Sequence, residues 1–221
     1  MRYLILFISL LVSGSCSTLP KEVIRKSTIK LEGKNTNIRD WIEIDGYYIS
    51  PLDTAIHYNN QDRRYFGSMM FFEDGTWVSF NFYTELFEDR YKIQQNMSKY
   101  IVGWKNGKLV NWGDVWGVYR IENDTITVLS YDIKPFTQYY SEYKYIVIDK
   151  KTIQRIYYQS LQKTDKKDNP WIYGSNPAIF TPADSLPSSD CWLKKKKWIW
   201  RNESDWKNYM QRIGQKKNKK N

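Results

Sequence analysis

From Tyr65 to Tyr83 the chain reads YFGSMMFFEDGTWVSFNFY. Tyr65 to Glu73 is an aromatic and apolar run. Asp74-Gly75 follows, a pair favoured in tight hairpin turns because glycine tolerates positive φ. Thr76 to Tyr83 then alternates, with Val78, Phe80 and Phe82 on one face and Ser79 and Asn81 on the other. A period of two is the signature of a strand, so the segment reads as a β-hairpin.

The pattern continues on both sides of this hairpin. Ile42 to Ser50 precedes it as a strand. After it come Tyr100 to Trp104, a second turn pair at Asn106-Gly107, and Leu109 to Glu122, which carries Trp112, Trp116, Tyr119 and Ile121. Asn123-Asp124 turns this run into Thr125 to Asp132. Tyr139 to Asp149 passes through Lys150-Lys151 into Thr152 to Ser160. Asp74-Gly75-Thr76-Trp77, Asn123-Asp124-Thr125-Ile126 and Lys150-Lys151-Thr152-Ile153 share one plan: a turn pair, Thr, then an apolar residue. Unequal spacing excludes a solenoid and fits successive hairpins of a meander. The expected fold is all-β: an antiparallel up-and-down meander closing into a roughly eight-stranded barrel, with a short C-terminal helix. An open β-sandwich with the same hairpins is the alternative.

Outside the meander, Val23 to Leu31 reads as a short strand or turn, and Glu85 to Met97 as a polar loop or short helix. His57 falls in the polar segment Ala55 to Asn60, read as a loop. Gln162 to Asp190 is punctuated by proline and reads as an irregular cover with an edge strand at Ala178 to Phe180. Trp206, Tyr209, Met210 and Ile213 recur at helical spacing, so Asn202 to Ile213 is expected as a helix. Asn202 or Ser204 would cap it and Gly214 would end it.

On these residues the chain resembles the lipocalin-like (calycin) barrels. Members begin their first strand with Gly-x-Trp, and Gly46-Tyr47-Tyr48 stands in the matching place with Tyr for Trp. They also pack an Arg from a late strand over that first aromatic. Arg155 is the corresponding residue here.

The N-terminus sets the compartment. Arg2 is followed by an apolar run from Tyr3 to Val12, too short to span a bilayer as a helix, then by Ser13-Gly14-Ser15-Cys16. This resembles bacterial lipoprotein precursors, although the usual Leu three positions before the Cys is Ser13. The resemblance implies cleavage before Cys16, acylation of that residue with fatty-acyl chains, and anchoring in the cell envelope. Ser17 points to the outer membrane. The alternative is a plain secretory signal with a coincidental Cys. The expected organisation is a signal peptide over 1–15, a lipid-anchored linker over 16–40, the barrel with its covering segment over 41–190, and a basic helix and tail over 191–221. With Cys16 acylated, Cys191 is a lone thiol, expected to be half-buried rather than nucleophilic.

Composition narrows the chemistry. The chain has 221 residues, 34 Lys+Arg against 24 Asp+Glu, 10 Trp, 18 Tyr, two Cys and one His. So many aromatics exclude a disordered chain, and two Cys and one His exclude a Cys-based zinc module or a His-rich metal site. No phosphate-binding loop, HExxH or GxSxG motif occurs, so no catalytic residue and no cofactor is expected. An envelope hydrolase is disfavoured. The net charge of +10 would suit a nucleic-acid binder, but residues 192–221 alone carry a net +9 and residues 17–191 are neutral. An exported protein has little access to nucleic acid, so none is expected as a partner.

Three uses of the aromatic residues stand open: core packing, a ligand cavity lined by Phe71, Val78, Phe80, Phe82, Tyr119, Ile121 and Tyr145, or a sugar-stacking platform of Trp104, Trp112 and Trp116. Lys194, Lys195, Lys196 and Lys197 are flanked by Trp192, Trp198 and Trp200. These lysines with Trp198 and Trp200 are candidates for contact with an anionic lipid surface or glycan. A solvated tail is the plainer alternative. The leading functional expectation is a membrane-anchored lipoprotein that binds or carries a small apolar or amphipathic ligand in its barrel. The rival is a structural or interaction lipoprotein with a solid barrel, whose Trp-rich basic segment contacts anionic membrane or glycan.

Overall fold

A computed structural model describes residues 21–58, 61–85, 95, 115–134, 137–161 and 176–218. Cys16 and residues 1–15, expected as a signal peptide, lie outside the described residues, as do Trp104, Trp112, the hairpin expected around Asn106-Gly107 and most of Glu85–Met97.

Eight antiparallel strands close into a barrel in chain order. They are β1 (Gly46–Tyr58), β2 (Gln61–Phe71), β3 (Thr76–Glu85), β4 (Val115–Glu122), β5 (Thr125–Lys134), β6 (Thr137–Asp149), β7 (Thr152–Ser160) and β8 (Ala178–Pro182). The expected meander is therefore present, and the open sandwich is not formed. The three turns that share a plan join β2 to β3, β4 to β5 and β6 to β7. They lie together at one end, called here the closed end.

Two local expectations change. Ala178 to Phe180 is not an edge: β8 pairs with β1 on one side and β7 on the other, so it is the stave that closes the barrel. His57 is not in a loop, because β1 continues to Tyr58 and His57 stands opposite Asp62.

Closure explains the glycine of the Gly-x-aromatic motif. Gly46 is paired with Pro182, and a Cβ there would lie 2.1 Å from the Thr181 carbonyl oxygen. Only a residue without a side chain lets β1 and β8 approach this closely. Gly117 plays a similar part on β4, where a Cβ would meet the Trp77 ring at 2.9 Å.

Among the described residues two apolar clusters form, one on each face of the barrel wall. The inner cluster draws on every strand and includes Tyr48, Phe71, Trp77, Tyr119, Val128, Tyr145, Ile153 and Ala178. Ile38, from the 3-10 turn Ile38–Asp40, and Ile42 stopper it at the closed end. The outer cluster holds the residues that alternate with these, such as Tyr47, Met70, Val78, Phe80, Val118 and Leu129. Its cover comes from both ends of the chain: Ile29 and Leu31 before the barrel, and Leu193 and Ile199 after it.

The N-terminal cover begins with helix α1 (Lys21–Lys26) rather than a strand. At the C-terminus, helix α2 (Glu203–Asn218) runs through Gly214 instead of stopping there. An exposed glycine inside a helix costs only about 1 kcal/mol relative to alanine. At the other end the Asn202 carbonyl accepts the first helical bond, from the Trp206 N–H at 3.4 Å, and its side-chain amide donates to Asp205 at 3.1 Å.

Gly46→Ala is expected to lower stability by about 1–3 kcal/mol through overpacking at the closing seam. Phe71→Ala is expected to cost about 3–5 kcal/mol. Urea unfolding followed by Trp fluorescence checks both; a neutral Gly46→Ala would contradict the close approach of β1 and β8.

Candidate functional site

The barrel interior is the first place to look for a ligand. Phe71, near the closed-end terminus of β2, stands opposite Trp77 across the Asp74-Gly75 turn. Residues directly opposite in an antiparallel pair point to the same face, so both rings enter the barrel. The Phe71 ring meets Tyr48 of β1 at 6.1 Å, Tyr119 of β4 at 5.4 Å and Tyr145 of β6 at 6.4 Å, all edge-on. Strands β2 and β6 are opposite walls of an eight-stranded barrel, so one ring bridges the interior and that layer is filled. Trp77 lies beside Tyr143 with ring centroids 5.8 Å apart.

Polar tips of these rings are tied to the closed end. The Tyr48 hydroxyl is 3.0 Å from the carbonyls of both Glu43 and Lys150. The Tyr119 hydroxyl donates to the Phe72 carbonyl at 2.6 Å and sits 2.7 Å from Thr36 Oγ1. Burial raises the pKa of the Tyr119 and Tyr145 phenols and pushes that of Tyr143 up to about 12, so all three stay neutral. Outside the stopper, Arg39 holds Asp45 through two bonds of 2.7 and 2.8 Å and also bonds Glu73. Arg155 stands opposite Tyr145, and its charge acts on Tyr143 and Tyr145.

The candidate cavity residues thus divide. Phe71, Tyr119, Ile121 and Tyr145 belong to the inner cluster. Val78 and Phe80 do not: they belong to the outer cluster, buried under the terminal segments. Their alternation was legible, but not the face they occupy. Phe82 pairs with Phe66, and its side chain lies outside the described ones. Of the sugar-platform residues only Trp116 is described. It is buried in the outer cluster and stacked on Phe72 at 6.1 Å.

The basic C-terminal segment is likewise not a loose tail. Leu31 and Trp200 form a parallel bridge, in which the Leu31 N–H donates to the Ile199 carbonyl and the Arg201 N–H to the Leu31 carbonyl, each at 2.8 Å. Through this one bridge the two terminal segments are joined into a strap on the outer wall. Trp198 meets Tyr131 edge-on at 5.3 Å and lies beneath Lys30, whose ammonium donates to the Trp198 carbonyl at 2.7 Å. Trp200 donates from Nε1 to the Lys194 carbonyl at 2.8 Å and packs on Tyr209. Both Trp residues are half-buried parts of the fold.

Lys194 is the sharpest departure from the sequence expectation. It is 2% exposed, so it is no contact residue for an anionic surface. Its ammonium lies 2.6 Å from Asp74 Oδ2, 3.3 Å from Ser189 Oγ and over the Tyr209 ring at 5.0 Å. Asp74 in turn accepts from the Thr76 N–H and hydroxyl on Oδ1 and from Ser189 on Oδ2. The turn residue that starts β3 is therefore also the anchor of the C-terminal segment. Burial would raise the Asp74 pKa, but the Lys194 charge and these hydrogen bonds outweigh it and hold the carboxyl below its usual value. Lys195, Lys196 and Lys197 remain exposed, and Lys197 is 2.6 Å from Glu203.

An open groove of about 400 Å³ lies beside this pair, between the β2–β3 turn and α2. Lys34, Glu73, Asp205, Asn208 and Arg212 line it with Trp200 and Tyr209, a mixed-sign surface. Cys191 is a free, buried thiol whose pKa burial pushes up to about 11. No group of three or more His, Cys, Asp or Glu among the described residues could hold a metal ion. Nor is any described helix long and apolar enough to cross a membrane. No protein-family model, no curated protein and no solved structure matches the chain.

The buried pair sets a pH dependence. Because the folded-state pKa of Asp74 is depressed, its contribution is present above the unfolded carboxylate value of about 4. It is lost as pH falls through the folded value. Asp74→Asn is expected to flatten that acid limb in urea titrations. Lys194→Met is expected to cost about 1–3 kcal/mol, less than a fully buried pair because Asp74 is still 35% exposed. Cys191 is expected to resist iodoacetamide at pH 8 until urea unfolds the protein; rapid native labelling would contradict its burial.

Proposed function

We propose that the chain is a bacterial envelope lipoprotein, acylated at Cys16 and held at the outer membrane. In this reading it acts by presenting surfaces rather than by catalysis or by enclosing a ligand at the closed end. The observation that carries it is the Phe71 ring, which meets three other strands and leaves the closed-end layer packed with side chains. A lipocalin-like barrel built this way is a rigid body on which the terminal segments are mounted. The lipobox-like Gly14-Ser15-Cys16 supports the anchor, and the exposed Lys195 and Lys196 support contact with an anionic partner.

A second reading, carriage of a small apolar or amphipathic ligand, keeps one observation in its favour. The indole N–H of Trp77 is buried in the barrel and has no hydrogen-bond partner among the described residues. A buried donor left unpaired costs about 1–3 kcal/mol, which a ligand acceptor would recover.

Two measurements separate these readings. Cys16→Ala is expected to abolish incorporation of radiolabelled palmitate and leave unprocessed precursor; normal processing and labelling would overturn the anchor. Native mass spectrometry of the protein extracted from its own envelope is expected to show the acylated chain alone. A retained second small molecule, lost in Trp77→Phe, would overturn the solid-barrel reading in favour of carriage.

A further inference from the structure

The groove beside Asp74 and Lys194 is built from parts of the chain that are far apart in sequence. The loop Gly33 to Asn35 approaches α2 closely: a Cβ at Gly33 would lie 2.9 Å from the Asp205 carboxyl carbon. Asp205, Asn208, Tyr209 and Arg212 recur at i, i+3, i+4 and i+7, so α2 turns one face to the groove. The β2–β3 turn adds Glu73 and Asp74, and the covering segment adds Lys194 and Trp200. Trp200 is held by its indole N–H on the Lys194 carbonyl at 2.8 Å and by its packing on Tyr209 at 5.5 Å. Its ring is therefore fixed before any ligand arrives, which lowers the entropic cost of binding.

Charge narrows the ligands that such a groove suits. Three basic and three acidic residues line it, so it has no net charge to hold a polyanion. Most of those charges are also committed within the fold. Lys194 is paired with Asp74 at 2.6 Å, Glu73 with Arg39, and Lys34 with Glu32 at 2.8 Å. Arg212 lies over the Tyr209 ring at 5.5 Å and 3.9 Å from Asp190. What the groove offers is hydrogen bonding beside an aromatic ring. The exposed Asn208 amide makes no hydrogen bond among the described residues. An amide supplies donors and an acceptor, a carboxylate paired acceptors, and a guanidinium a fork of donors. Asp205, Asn208 and Arg212 thus set three planar polar groups along one helix face, with the half-buried Trp200 in the same groove. Vicinal hydroxyls, each both donor and acceptor, match planar groups of this kind, and the C–H face of a sugar ring matches an aromatic ring.

We propose that this groove binds a neutral saccharide, with Trp200 as the platform for a sugar ring and Asp205, Asn208 and Arg212 as the groups that bond its hydroxyls. The volume of about 400 Å³ falls within the roughly 300–1,000 Å³ of small-ligand sites. The proposal goes beyond the reading of an anchored body and does not rest on acylation at Cys16. Because the ligand is uncharged, binding is nearly independent of salt, unlike contact through the exposed Lys195 and Lys196.

The test uses the full chain purified in a detergent without a sugar headgroup. It is titrated calorimetrically with chitohexaose, cellohexaose, maltohexaose and mannohexaose at low and high salt. At least one is expected to bind with a Kd below about 1 mM at both salt levels. Trp200→Ala is expected to abolish this binding. Since that ring also packs on Tyr209, the exposed Asn208→Ala and Arg212→Gln carry the assignment. Each is expected to weaken binding at least about fivefold with an unchanged urea midpoint, whereas Lys207→Ala, outside the groove, leaves it unchanged. Failure of all four hexasaccharides to bind overturns the proposal. Binding that is equal in Asn208→Ala, Arg212→Gln and the unaltered chain overturns the site. Binding confined to heparin and lost at high salt overturns the neutral ligand in favour of charge contact. Tighter binding of dialanine than of any hexasaccharide overturns the saccharide class in favour of a peptide.

Discussion

The outer wall of the barrel carries Tyr47, Met70, Val78, Phe80, Val118 and Leu129, and all are buried. A closed barrel can satisfy its inner face by itself, but an apolar outer face has to be covered by other chain. Burial of each such side chain is worth about 1.5–3 kcal/mol, so the cover is a substantial part of the fold's stability. Here it consists of two segments from opposite ends of the chain, joined to each other through Leu31, Ile199 and Arg201. Much of what is distinctive about the molecule follows from that requirement: the half-buried Trp198 and Trp200, the buried Lys194, and the position of α1 against the wall.

The same requirement divides the basic residues into two kinds. Lys194 is structural, because its ammonium is paired with Asp74 across 120 residues of sequence. Its neighbours Lys195 and Lys196 are exposed. A run of four lysines therefore contains one latch and several surface charges, and truncating the segment would remove the outer core along with the charges. Substitution of exposed charges separates the two, which truncation cannot do.

The barrel was legible because its evidence is local. Turn pairs at Asp74-Gly75, Asn123-Asp124 and Lys150-Lys151, with period-two flanks, state strand, turn and strand within a few residues. Face assignment was not local in the same way. On β3 the run Val78, Phe80, Phe82 is the more apolar, and the ordinary rule sends it inward. In this barrel the outer wall is also a core, so Val78 and Phe80 point outward and Trp77 points inward. The register across the Asp74-Gly75 turn, which places Phe71 opposite Trp77, carries the correct answer. Lys194 was illegible because nothing near it distinguishes it from Lys195. Only the fold brings Asp74 to it. The extent of α2 exceeds the sequence expectation because Gly214, a residue type that favours a helix stop, has helical backbone and an exposed position that let the helix continue.

The central claim is that the two terminal segments form one strap that is part of the native core. Native-state hydrogen exchange at the Leu31 and Arg201 amides tests it directly, since both donate across the bridge between the two segments. The account predicts that both exchange only through global unfolding, with the same opening free energy as core amides such as that of Val128. Exchange of either amide at the rate of an unstructured peptide would show the strap to be detached and would contradict the account.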